Sequence, residues 1–165
     1  MIQKLKRSAM LSPSLKKREK VAFGSGNILQ ELTGMMWYFY SMIYLTRVEK
    51  LSNGEAGLVM LVAQGSEAML TPFAGHACDK LNLKIYGKKK FCLLLSSILI
   101  LVSWPFLFNL CLVGKDASST VKLAYYCVFG ALFASAYGIG DAVHFSLIPD
   151  ISYKKSDIVD LSSIR

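Results

Sequence analysis

The sequence predicts an all-α, polytopic membrane protein with four transmembrane helices. Its 165 residues are 53% apolar or aromatic and only 18% charged, with a mean hydropathy of +0.41, too apolar for an ordinary soluble domain of this length. Four long apolar stretches are separated by short polar ones, and the basic residues fall mainly in alternate loops.

Residues 1–20 form a basic N-terminal segment with Lys4, Lys6, Arg7, Lys16, Lys17, Arg18 and Lys20. It contains no apolar run long enough for a signal peptide, so no cleavable targeting segment is expected. The first span, 21–46, is apolar apart from Glu31, and the second, 56–76, apart from Glu67. The third, 91–114, carries no charge, and about 20 residues rising ~1.5 Å each suffice to cross ~30 Å of hydrocarbon. The fourth, 121–148, is uncharged from Leu123 to Gly140, then holds Asp141 and His144, and is expected to close at Pro149. The spans with a carboxyl score lower in hydropathy, because each such group costs about 2.5–3.5 kcal/mol on insertion scales. Residues 149–165 then form a tail, the start of a continuation that the sequence does not contain.

Four crossings place both termini on one side of the membrane. Fifteen of the 19 Lys and Arg fall on that side, including Lys80, Lys84, Lys88, Lys89 and Lys90 between the second and third spans. Arg47, Lys50, Lys115 and Lys122 alone fall on the other. This asymmetry makes the termini cytoplasmic and turns the net charge of +8 into a topogenic signal that also suits anionic membrane lipid, with no nucleic acid partner implied.

Ala134 and Gly138, or Ala136 and Gly140, form small-xxx-small pairs in the fourth span and predict close helix packing there. Trp37, Tyr38, Phe39, Tyr40 and Tyr44 fit an interfacial aromatic belt plus core packing, with Trp37 and Tyr38 deep enough to line a cavity. Cys78, Cys92, Cys111 and Cys127 lack metal-ligand spacing and are expected to pack as small apolar residues, with a Cys111 to Cys127 bridge as the alternative.

Glu31, Glu67 and Asp141 lie about seven to ten residues inside their spans, so at ~1.5 Å per residue they share one depth near the midplane or just to its cytoplasmic side. Acids at that depth are costly unless they face a bundle interior or a watery cavity, where they mark solute or proton pathways. The plainer reading is that some of them snorkel to water or bond within the bundle. His144, three residues past Asp141, either shares a proton with it or sits at the interface. Asn27 and Gln30 either contact a polar solute or bond neighbouring helices.

After the second span, Gly75-His76-Ala77-Cys78-Asp79-Lys80 and then Gly87-Lys88-Lys89-Lys90 resemble the loop signature of the major facilitator superfamily, with a longer gap than usual. Read physically, Gly75 permits a close helix approach and Asp79 anchors a helix end or a basic partner. The run Glu67-Ala68-Met69-Leu70-Thr71-Pro72-Phe73-Ala74-Gly75 is similar to the second-span motif of the glycoside-pentoside-hexuronide cation symporter group, with Thr71 where that motif has a second acid. The segments His144–Pro149 and Asp160–Arg165 resemble the eukaryotic branch that imports cysteine into lysosomes and melanosomes.

The resemblance implies that the four helices are equivalent to the start of the N-terminal six-helix half of a major facilitator fold. It implies cation binding through Glu67 and Asp141, solute contact through Glu31, and coupling to protons rather than sodium because Thr71 replaces an acid. The implied function is a proton-coupled symporter of a small polar solute such as cysteine in a lysosome-type membrane, here represented by its N-terminal portion. The alternative is a truncated, non-transporting membrane protein that binds a partner or the full-length transporter; association with other transporter subunits is a further expectation. No nucleophile and base pair, metal spacing or phosphate loop is present, so no enzyme, cofactor or metal is expected.

Overall fold

A computed structural model describes residues 15–80, 88–109, 112, 114, 117–152 and 154–164, and these are helices and short connections. Helix α1 spans Lys17–Ile43 and runs on through a π turn, Tyr44–Val48; α2 spans Asn53–Lys80, α3 Lys88–Phe108, α4 Ser119–Ile151 and α5 Lys155–Ile164. Helices α3, from Lys89, and α4 are long and apolar enough to cross a membrane.

The helix starts follow capping chemistry. At α2, the Ser52 hydroxyl accepts from the Glu55 N–H (3.3 Å) while the Glu55 carboxylate accepts from the Ser52 N–H (2.8 Å). Glu19 likewise accepts from the Lys16 N–H at 2.9 Å, where α1 begins. Two boundaries differ from expectation. Helix α3 ends at Phe108, six residues short of the predicted 114, and α4 passes through Pro149 to Ile151. A proline this near a helix end removes only its own N–H bond, which the terminal turn tolerates.

Helix α4 is the hub, packed along its length against both α2 and α3. Its buried residues include Gly130, Ala134, Ser135, Ala136, Gly138 and Gly140, so neighbouring backbones can approach closely, as the small-residue pattern predicts. Toward the end opposite the termini, the larger side chains of the core form an aromatic cluster. The Phe133 ring lies 5.2 Å from Trp37 and 5.3 Å from Trp104, and Trp104 lies 4.6 Å from Phe108. Trp37 is therefore a core residue, only 3% exposed, and not a belt residue. At the same end the Tyr44 hydroxyl donates to the Asn109 carbonyl (3.0 Å), and Lys122 pairs with Glu49 at 3.6 Å.

Residues 155–164 of the expected tail form a helix. Helix α5 lies across the start of α1, and a Cβ on Gly24 would come within 2.6 Å of Ile164. Buried Asp157 accepts from Lys20 (2.8 Å), the Leu15 N–H (3.2 Å) and the Ser152 hydroxyl (3.2 Å), while Lys20 also reaches Asp160 at 2.6 Å. The Lys20 ammonium beside it holds the Asp157 carboxyl below its ordinary range, and Asp157 and then Asp160 raise Lys20.

The Asp157 contribution is thus complete above the ordinary carboxylate range and is lost as pH falls through the depressed value. That of Lys20 is complete below its ordinary value and is lost as pH rises through the raised one. The clasp is therefore closed at neutral pH and is expected to open on strong acidification. The hydrogen-exchange protection factors of residues 155–164 should fall there, while those of residues 126–140 stay high.

The cysteines also depart from expectation. Cys78 near the end of α2 and Cys92 near the start of α3 are joined in a disulfide, with Cα atoms 6.2 Å apart. The ends of a helical hairpin are neighbours in space, which a separation of 14 residues does not reveal. Cys127 is unpaired, so the alternative bridge to it is not formed; Cys111 lies outside the described residues.

Candidate functional site: polar groups on one turn of helix α4

Three helices deliver polar side chains to the turn of α4 that precedes Asp141. A Cβ on Gly138 would stand 2.6 Å from the Thr71 hydroxyl, 2.7 Å from Glu67 Cγ and 3.1 Å from Glu67 Oε1. Glycine therefore lets α2 press its acid and its hydroxyl directly onto the α4 backbone. A Cβ on Gly140 would stand 2.8 Å from the Ser96 hydroxyl of α3 and 3.0 Å from Gln30 Nε2 of α1. Gln30 Nε2 donates to the Tyr137 carbonyl at 2.8 Å, using the second lone pair of an oxygen within the helix.

Asp141 itself is half-buried, as are Glu31 and Glu67. Glu31 accepts from Asn27 Nδ2 at 2.9 Å; Asn27 is 1% exposed, and its Oδ1 is buried without a hydrogen-bond partner. Gln30 thus bonds a neighbouring helix, one of the two roles expected of it, whereas Asn27 bonds an acid of its own helix, a role the sequence reading did not offer. The Tyr38 hydroxyl hydrogen-bonds to Glu67. The sequence placed Tyr38 deep enough to line a cavity but did not reveal its partner, because a run of aromatics favours a belt or packing role. Thr71 donates to the Glu67 carbonyl at 2.7 Å, so the residue in place of the second acid is committed partly to its own backbone.

His144 is not at the interface. It is 3% exposed, stacks on Phe23 of α1 at 4.3 Å and bonds to the Phe23 backbone, while its Nδ1 is buried without a partner. Its position on α4 turns it toward the start of α1, next to the turn that carries Asn27.

The signature loop is described in part. Gly87 and the side chains of Asp79, Lys80 and Lys88 lie outside the described residues. A Cβ on Gly75 would meet nothing within 4 Å, so the close approach expected there is made at Gly138 and Gly140 instead. Lys89 goes beyond orienting the chain: its Nζ pairs with Asp150 at 2.8 Å and donates to the Ser146 carbonyl at 2.7 Å, tying α3 to the end of α4. Between Lys89, Ser146, Gly75 and Thr71 runs a cleft of about 80 Å³, which leads from the basic end toward the turn that holds Glu67.

The sequence model of the family described as MFS/sugar transport protein matches residues 22–165. The chain belongs to this family. Within the major facilitator superfamily it is similar to "Major facilitator superfamily domain-containing protein 12" of Homo sapiens, 30% identical over 149 residues, and to that of Mus musculus, 29% identical over 147. Each alignment covers 88% of this chain and 31% of the relative, so the chain spans just under a third of the length of these curated relatives. No solved structure gives a significant match. Membership identifies an all-helical membrane protein of a transporter family, not an enzyme family.

Proposed function

We propose that the four helices form part of the solute and proton pathway of a secondary active transporter, with Glu67 as the proton-carrying group. Glu31 and Asp141 complete the site, Tyr38 and Thr71 orient Glu67, and Asn27, Gln30 and His144 set the polar lining. The observation that supports this reading is that Glu67 and Thr71 press on Gly138 and Gln30 on Gly140, from different sides of the one turn of α4 that Asp141 follows. A carboxyl at that depth is far less costly when protonated, so proton uptake and release there can be coupled to solute movement.

Thr71 in place of a second acid favours protons over sodium, because one carboxylate suits a proton better than a cation that needs several oxygen ligands. The solute is a small polar molecule, cysteine by the family resemblance. The membrane is that of a lysosome-type organelle, with both termini and the basic loops in the cytosol.

A second reading, a membrane protein that binds a partner or further transporter subunits, is favoured by the open apolar flanks of α1 and α2. Phe39 and Phe73 are each 72% exposed, and Met69 is 71% exposed. Uptake of radiolabelled cysteine into vesicles containing the chain, under an imposed proton gradient, separates the two. The transport reading predicts uptake above empty vesicles that is lost in Glu67→Gln. The partner reading predicts none in either.

A further inference from the structure

We propose that Cys78 and Cys92 form a thiol–disulfide switch, open to the cytosolic thiol pool, that ties the end of α2 to the start of α3. Helices α2 and α3 are held together mainly by their common packing on α4, with few direct contacts of their own, and the disulfide adds a side-chain cross-link to the main-chain connection between them. It closes the loop that contains the signature residues Asp79, Lys80, Gly87 and Lys88. Cys78 also lines the cleft that runs to Thr71, so the tie lies at the mouth of the route toward Glu67. Cys78 and Cys92 also border a second, open hollow of about 170 Å³ with Ala74, Leu95 and Leu99; they are only 7% and 3% exposed, so a small thiol reaches them by way of the first cleft, which Cys78 shares with Lys89 and Ser146.

The location sets the redox partner. Lys89 and Lys90 stand just ahead of Cys92, at the end assigned to the cytosol by the basic loops, and cytosolic glutathione keeps most thiols reduced. A disulfide at that face exchanges with the pool, whereas one on the opposite face would be kept oxidised. The exchange is balanced: a small thiolate attacks one sulfur to give a mixed disulfide and release the other cysteine. A second small thiol then completes the reduction, leaving two protein thiols and one small-molecule disulfide. Reduction frees the α2 end to move relative to α3, while Lys89 stays anchored to α4 through Asp150.

The switch depends on the orientation proposed above but not on transport, so its test uses no uptake assay. The full chain in sealed vesicles is treated with a membrane-impermeant phosphine from one side at a time. Cysteine alkylation is then read by mass spectrometry and hydrogen exchange measured on residues 72–80 and 88–94. The expected result is a linked Cys78–Cys92 peptide before treatment, reduction from the side of the basic loops, and several-fold faster exchange in both segments with none at 126–140. The double variant Cys78→Ser, Cys92→Ser should match the reduced protein. Alkylation of both cysteines without reductant, reduction only from the opposite side, or exchange unchanged on reduction each overturns the proposal.

Discussion

Phe133→Ala is expected to cause the largest loss of stability of any single truncation in this chain. Phe133 is fully buried and its ring contacts both Trp37 and Trp104, so alanine leaves a void between α1, α3 and α4. Such truncations cost about 3–5 kcal/mol in soluble cores. The lower end, about 3 kcal/mol, applies here because lipid solvates the separated helices and removes part of the transfer term, leaving the lost packing contacts. Thermal or denaturant unfolding in detergent, followed by tryptophan fluorescence, should show the loss directly, since Trp37 and Trp104 both report on the void. Phe73→Ala, on an exposed flank, should leave the transition almost unmoved.

Gly138→Leu is expected to cost about 1–3 kcal/mol and to abolish the site at the same time. Even a single Cβ at this position meets Thr71 and Glu67 closer than 3 Å, and the Glu67 and Thr71 side chains cannot retreat without moving α2. Overpacking in a close-packed interface carries a penalty of that order. Because the same contact places Glu67 on α4, the transport reading predicts that the variant loses proton-dependent uptake even at temperatures where it remains folded. Gly75→Leu is the control: a Cβ there meets nothing within 4 Å, so stability should change little. If both leucine variants behaved alike, the close approach at Gly138 would not be what holds the site together.

Much of this arrangement was legible in the sequence, for physical reasons that can be named. The uninterrupted apolar run of α3 and the glycine, alanine and serine pattern of α4 are local signals, and both appear as a long apolar helix and a tightly packed hub. The carboxyls of Glu31, Glu67 and Asp141 stood out because charge is costly in an apolar stretch. What stayed hidden depends on which residues of different helices meet. The bond from Tyr38 to Glu67 needs the rotation of α1 about its axis relative to α2, and apolar periodicity does not report that when lipid and core are equally apolar.

The same limit explains His144, which three-residue spacing links to Asp141 although the ring packs on Phe23. It also explains the disulfide, whose partners become neighbours only when α2 and α3 pack on α4. Helix α5 was missed because a ten-residue polar helix reads as tail until Asp157 is seen under Lys20.

The central claim is that the carboxyls on α1, α2 and α4 are withdrawn from bulk water at one level of the bundle. Cysteines introduced one at a time at positions 31, 67 and 141, in a chain whose native cysteines are replaced by serine, can be timed in their reaction with a membrane-impermeant maleimide in sealed vesicles. The account predicts reaction far slower at all three than at an exposed reference such as Lys50→Cys, from either side of the membrane. Reaction at the reference rate at positions 31, 67 and 141 would contradict it.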